Sequence, residues 1–193
     1  MIKNLAARQT GFTSNAFLVT GDRTVLVDVG SQFDVVAAAR EFVDDVDAVV
    51  LTHTHPDHVG NLDAVTDAFD VDVWGQDTDQ PGVDHEIADG ETVQLGDEPY
   101  EAIHTPGHKN DHLCFYAPGS KILFAGDLVF ANGGFGRTDL PEGDRKRLIE
   151  SIQRVLDRID DDLTALHTGH GPSVTTNPSH DVEIALQAAR MSA

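Results

Sequence analysis

Apolar and polar positions divide the chain into short strands at first and a strand–helix alternation afterwards. "NAFLVTGDRTVLVDVG" holds two apolar runs around Gly21-Asp22, the pattern of a hairpin. "DVVAAAREFV" has helical character, with Asp34 placed to cap it. "VDAVVLTHTH" opens on a brief β-branched run, as in a strand buried on both faces. Gly60 and Asn61 lead into "LDAVTDAF", a second helix, and "VDVWG" is another strand. From Gln76 to Glu98 the chain is rich in Asp and Gly, which predicts a surface excursion holding one or two short strands. "YEAIHTPGH" and "HLCFYAPGSKILFAGD" read as three strands, the last two joined at Pro118-Gly119. In "GDRKRLIESIQRVLDRI", Leu148, Ile152, Val155 and Ile159 recur on one helical face. "LTALHTGHG" is a strand running into a loop, and "SHDVEIALQAARMSA" closes the chain as a helix. This order predicts an α/β sandwich with helices outside. No repeat and no linker-like stretch interrupts residues 1–193, so a single domain is expected.

Composition narrows the setting. Hydrophobic residues make up 40% of the chain, enough for a folded core. No apolar run is long enough to span a bilayer, and "MIKNLAARQTG" lacks the apolar stretch of a signal peptide, so a soluble, cytoplasmic protein is expected. Cys114 is the only cysteine; it excludes an intramolecular disulfide and a thiolate-rich metal site, and its run "LCFYA" predicts a buried, inert thiol. The net charge is −20, from 33 acidic and 13 basic residues. Such a surface argues against electrostatic binding to nucleic acid or anionic lipid. The composition resembles that of proteins from extremely halophilic archaea, where a Debye length of roughly 3 Å at molar salt screens the self-repulsion.

The candidate chemistry lies at strand ends. "THTHPDH" places His53, His55, Asp57 and His58 within six positions, and no structural role requires such crowding. Alternate residues of an extended segment project to one side, so His53 and His55 can grip one ion together. Pro56 then turns the chain, and Asp57 and His58 can face a second position. Three more segments each offer one metal-capable residue in a tight turn after a strand: His108 in "TPGHKNDH", Asp127 in "AGD" and His170 in "TGHG". A lone strand-end histidine is more often hydrogen-bonded than a ligand, but the four segments together point to a metal site. Imidazole and carboxylate suit zinc, and also iron or manganese. Seven such groups suit two divalent ions with one carboxylate between them.

With these residues in this order, the sequence resembles the metallo-β-lactamase-fold hydrolases from about Asn15 to His170. The resemblance implies a four-layer αβ/βα sandwich. It implies that His53, His55 and His108 bind a first metal, Asp57, His58 and His170 a second, and that Asp127 bridges them. "LVDVG" resembles the family's early strand and makes Asp28 a support for a ligand histidine. Within the family the likeness is to the glyoxalase-II branch, through TPGH-x-x-x-H, in which His112 is a packing or supporting residue rather than a ligand. "FGRTDLPEGD" looks like a loop of compact glyoxalase-II-like hydrolases; a similar run occurs in the mononuclear iron persulfide dioxygenases. Two departures stand out. Little chain follows His170, so the helical C-terminal domain of larger glyoxalase II enzymes is not expected. The lysine and tyrosine that follow the bridging aspartate there are missing, with Gly136, Arg137 and Thr138 in that region, so glutathione specificity does not carry over.

The implied activity is hydrolysis by a metal-bound hydroxide, oriented by Asp57 and Asp127 and attacking a carbonyl, with a thioester of a small acyl thiol as the favoured substrate. No G-x-S-x-G nucleophile is present. Arg137 is expected either to clamp a substrate carboxylate or to pair with Asp139. The main alternative is a persulfide dioxygenase using a facial set drawn from His53 or His55, His108 and Asp127. A nuclease or lactonase of the same fold, or a metal-bearing scaffold, ranks below both.

Overall fold

In a computed structural model of the chain, residues 1–159 and 161–191 are described. Elements follow in the order β1 (Ile2–Asn4), β2 (Phe17–Val19), β3 (Val25–Val27), α1 (Val35–Arg40), β4 (Ala48–Val50), α2 (Pro56–Val59), α3 (Leu62–Phe69), β5 (Val73–Gly75), β6 (His85–Glu86), β7 (Thr92–Leu95), β8 (Glu98–His104), β9 (Leu113–Ala117), β10 (Ile122–Gly126), β11 (Val129–Phe130), β12 (Gly134–Phe135), α4 (Arg145–Leu156), β13 (Ala165–Thr168) and α5 (Pro178–Met191). A six-stranded sheet runs β1-β2-β3-β4-β5-β6 and a five-stranded sheet runs β13-β10-β9-β8-β7; β11 and β12 form a separate ribbon.

Alternation within each strand explains the layering. In the first sheet Phe17, Val19, Val25, Val27 and Val50 face the second sheet, where Phe115, Ala117 and Phe124 meet them. Their neighbours Leu18, Leu26 and Val49 face the opposite way, onto Val35 and Ala39 of α1 and Leu62, Val65 and Phe69 of α3. In the second sheet Cys114, Tyr116, Leu123 and Ala125 turn outward onto Leu148, Ile152 and Val155 of α4 and Val182 and Leu186 of α5. The result is helix, sheet, sheet, helix: the αβ/βα sandwich. Both faces of each central strand are covered, so the strands read as unbroken apolar runs rather than as alternating ones.

The expected hairpin forms with Phe17 opposite Val27. Asp34 caps α1 by accepting from the Ala37 amide, and Asp144 caps α4 by accepting from that of Arg147. Helix α1 stops at Arg40, short of the expected Val43. The 76–98 excursion carries two short strands, β6 and β7. Four elements were not anticipated: β1, the one-turn α2, and the ribbon strands β11 and β12. Each has four residues or fewer, too few to show a periodicity. The final helix was expected to run to residue 193; residues 192–193 lie outside the described residues. Cys114 is fully buried, and burial pushes its thiol up to about 12. No helix among the described residues is long and apolar enough to cross a membrane.

Candidate metal centre

The strand-end turns converge at the carboxyl edges of both sheets, where sheets of this type place their sites. The segment after β4 brings His53, His55, Asp57 and His58; the turn after β8 brings His108; the end of β10 brings Asp127; and the turn after β13 brings His170. Ligand-capable atoms gather into three overlapping groups, each within 4.8 Å: His53, His55 and His108; His53, His58 and Asp127; and Asp57, His58 and His170.

The first group is all nitrogen. His55 Nδ1 lies 3.1 Å from His53 Nε2 and 2.8 Å from His108 Nε2. The far sides of two rings are already committed. His108 Nδ1 is 2.8 Å from the Arg137 carbonyl, which can only accept, so the proton sits on Nδ1 and Nε2 offers a lone pair inward. Thr52 Oγ1 donates to Asp28 Oδ2 at 2.7 Å and has no further hydrogen, so at 3.2 Å it accepts from His53 Nδ1. His53 Nε2 is thereby also left with its lone pair facing inward.

The second group is mixed. His170 Nε2 stands 3.0 Å from Asp57 Oδ2. His58 is fully buried, with Nδ1 2.8 Å from Asp28 Oδ2 and Nε2 3.3 Å from Asp127 Oδ1. Asp127 Oδ2 is 3.4 Å from His108 Nε2 and 3.5 Å from His170 Nε2, so this one carboxylate reaches both groups. His58 Nε2 and Asp127 Oδ1 are buried and, beyond this 3.3 Å approach to each other, have no partner among the described residues. Orphaned polar atoms are costly, about 1–3 kcal/mol each. Two of them aimed at one point, beside further imidazole and carboxylate donors, fit a divalent cation.

Protonation differs between the groups. Burial, aided by the charge of His108, lowers His55 to about 4, and burial holds His53 well below the usual histidine range. Burial also opposes charge on His58 and His170. There the carboxylates prevail: Asp28 and Asp127 lift His58 well above its usual value, and Asp127 and Asp57 lift His170 to about 9. Burial would raise Asp127, but the His58 charge outweighs it and keeps this carboxyl ionised.

Supporting contacts set these geometries. Asp28 sits at φ +56°, a strained backbone for aspartate. From there it accepts from the Thr52 amide and hydroxyl at 2.8 and 2.7 Å as well as facing His58, so it orients His58 directly and His53 through Thr52. His112 Nε2 accepts from the Asp127 amide at 3.0 Å while its Nδ1 meets Thr105 Oγ1 at 2.7 Å; it steadies the Asp127 backbone and offers no free nitrogen. Gly169 packs so closely that a Cβ there would strike Asp127 Oδ1 and stand 2.9 Å from His58 Cε1. Arg137 lines the cavity over the site and meets Asp139 by two contacts of 2.7 Å.

Three supports escaped sequence reasoning. Asp111 Oδ2 accepts from the Thr54 hydroxyl at 2.6 Å and the Thr54 amide at 3.2 Å, pinning the residue between His53 and His55. Lys109, buried beside His108, pairs with Asp111 at 3.2 Å and Glu142 at 3.3 Å. Asn15 Nδ2 donates to the carbonyls of Thr168 and Gly171, clasping the turn that carries His170. The only signal for Asp111 and Lys109 was their place inside "HKNDH", between two histidines.

A sandwich whose strand ends present overlapping imidazole–carboxylate groups is the architecture of an α/β protein with a candidate divalent-metal centre. The profile of the Metallo-beta-lactamase superfamily matches residues 9–170, and the chain belongs to that superfamily, whose fold binds divalent metals. Hydroxyacylglutathione hydrolase GloC of Haemophilus influenzae is 31% identical over 86% of this chain and 89% of its own length. A hydroxyacylglutathione hydrolase of an Enterobacter species is 37% identical over 69% of this chain, which spans only 52% of that longer protein. Among solved structures, TTHA1623 in a di-iron-bound form superimposes with a TM-score of 0.76 at 29% identity, covering 97% of this chain and 96% of that one. ETHE1 from Myxococcus xanthus gives 0.78 at 20% identity, covering 98% and 90%, a likeness of fold alone.

Proposed function

We propose that the chain is a dinuclear thioester hydrolase of the glyoxalase-II-like kind, working as one domain over residues 1–193. The observation that carries this is Asp127, whose carboxylate reaches the all-nitrogen group and the mixed group at once. His53, His55 and His108 would hold one divalent ion, and Asp57, His58 and His170 the other, with Asp127 shared. Zinc suits the donors, and iron or manganese are acceptable. Such ions, when bound, bring the pKa of a shared water towards neutrality and polarise a carbonyl.

The protein's own part is to hold and aim. Asp28, Thr52 and the Arg137 carbonyl turn imidazole lone pairs inward. Asp57 and Asp127 place carboxylate oxygens 3.0 and 3.5 Å from His170 Nε2, where they would orient the attacking water, whose acidity near neutral pH lets its proton pass to solvent. Hydrolysis joins the water oxygen to the carbonyl carbon and breaks the C–S bond, the electron pair leaving with sulfur. A thiolate departs readily because its conjugate acid has a pKa of about 8.5, so no general acid has to be supplied. Arg137 contributes a cavity wall and, through its carbonyl, the anchor of His108. The substrate is a small acyl thiol, the class for which GloC and the Enterobacter hydrolase are named. The acidic composition fits a cytoplasm of high salt.

GloC and the Enterobacter hydrolase, named for a thioester substrate, support this reading over that of a lactonase or nuclease. The test uses protein purified in high salt: metal content, thioester hydrolysis and oxygen uptake with a thiol persulfide. Two metals per chain with hydrolysis and no oxygen uptake is the expected result. One iron with persulfide-dependent oxygen uptake would establish the dioxygenase instead.

A further inference from the structure

The two donor groups open into a cavity of about 490 Å³ whose outer wall is apolar: Phe12, Pro56, Phe130, Phe135 and Leu140. The aromatic surface begins at the ligands, with the Phe130 ring centroid 6.1 Å from that of His170. Phe130 and Leu140 are half-buried, and neither belongs to the three core clusters. Phe12 is 69% exposed, one of four large hydrophobic side chains so displayed among the described residues. A chain of net charge −20 leaves this wall open beside its most polar site. Core packing does not account for that, whereas ligand burial does.

Charge points the same way. Among the described residues, Arg137 is the only lysine or arginine lining the cavity, and its guanidinium is gripped bidentately by Asp139. Lys109, next to His108, is buried in its pairs with Asp111 and Glu142. Recognition of a carboxylate-bearing thiol carrier such as glutathione draws on arginine or lysine donors; the cavity wall offers one, Arg137, and Asp139 competes for it.

Resting on the thioesterase reading, we infer that the cavity selects thioesters with a bulky apolar acyl group, aromatic or branched, and gives no preference to an anionic peptide thiol. Phe130 and Leu140 hold the acyl group, and water adds at its carbonyl as above, releasing the carboxylic acid and the neutral thiol.

Three thioesters test this on the metal-loaded enzyme: S-acetyl- and S-phenylacetyl-N-acetylcysteamine, and S-phenylacetylglutathione. Each kcat/KM is normalised to the substrate's own rate with hydroxide. The phenylacetyl ester should exceed the acetyl ester on the neutral thiol by about tenfold or more, the scale of burying a few additional apolar carbons. The glutathione carrier should change kcat/KM by less than about threefold, as expected where the single cation on the cavity wall is shared with Asp139 in solvent. Phe130→Ala, and Phe130→Leu as the milder variant, should reduce the phenylacetyl-to-acetyl ratio, the alanine more. Equal rates for the two acyl groups, or a tenfold advantage for glutathione, would overturn the inference while leaving the thioesterase reading intact. If none of the three is hydrolysed by metal-loaded protein, the thioesterase reading itself falls, and this inference with it.

Discussion

The two halves of the candidate metal centre are built on opposite electrostatic plans. The His53–His55–His108 half is nitrogen only; its supports include a hydroxyl and a carbonyl, and burial depresses His53 and His55. The Asp57–His58–His170 half is rich in carboxylate, and without metal its two imidazoles keep their protons. Asp28, Asp57 and Asp127 thus favour positive charge at His58 and His170, as they would favour a cation between them. The first half is ready to accept an ion; the second must first release protons. Asp127 is the hinge of the comparison because it serves both.

The most drastic way to break the contrast is to remove what the halves share. Asp127→Asn should lower thioester kcat/KM by about 10³-fold, the scale seen when a principal electrostatic element is lost, and should leave fewer than two metals per chain by elemental analysis. Asp28→Asn comes next: it unseats His58 directly and His53 through Thr52, so metal affinity by competitive chelator titration should fall about 10- to 100-fold.

Acid should separate the halves. His170 has a folded pKa of about 9, so protons compete for its Nε2 at every pH below that, and affinity in the second half drops as pH falls, about tenfold per unit for one displaced proton. His55, at about 4, stays free of that competition down to mildly acid pH. Metal content measured from pH 9 to pH 5 should step from two ions to one; loss of both together would refute the asymmetry. For the metal-free fold the signs also oppose. The raised His58 and His170 stabilise it fully below the unfolded value of about 6.5, and this is lost as pH rises through about 9. The lowered His53 and His55 stabilise it above about 6.5, and this is lost as pH falls towards 4.

A smaller effect should sharpen the first half alone. Asp111→Asn loosens Thr54 and strips Lys109 of one partner, so affinity for the first ion should fall by up to about tenfold, with a lower Tm. The second ion should be unaffected. The smallest effect belongs to Arg137→Ala: its ion pair is solvent-exposed, so Tm should not move and KM should rise by less than about threefold.

Much of this was legible along the chain. Seven donor residues in four strand-end turns announced a metal centre because metal chemistry constrains residue type and the turns are local. Alternating and unbroken apolar runs announced buried strands, since packing on two faces leaves no polar position free. Short elements escaped: α2 begins at Pro56 inside the ligand run and lasts one turn, and the β11–β12 ribbon has two residues per strand. Asp111 escaped because a carboxylate in a loop signals nothing until its partner is known, and that partner, Thr54, lies 57 positions away.

The sequence by itself therefore determined which residue types gather at strand ends, and from their order the family and its αβ/βα layering. Only the tertiary structure decided which nitrogens of His53 and His108 face inward, that His58 and His170 stand among carboxylates, that Arg137 pairs with Asp139, and that an apolar wall stands over the candidate donors. The physical reason is range. Ligand identity and strand pattern are written in a few adjacent residues, whereas tautomers, protonation and cavity walls depend on contacts such as Asp28 with His58, 30 positions apart, or Asn15 with Thr168, 153 apart, which come into being when the two sheets close on each other.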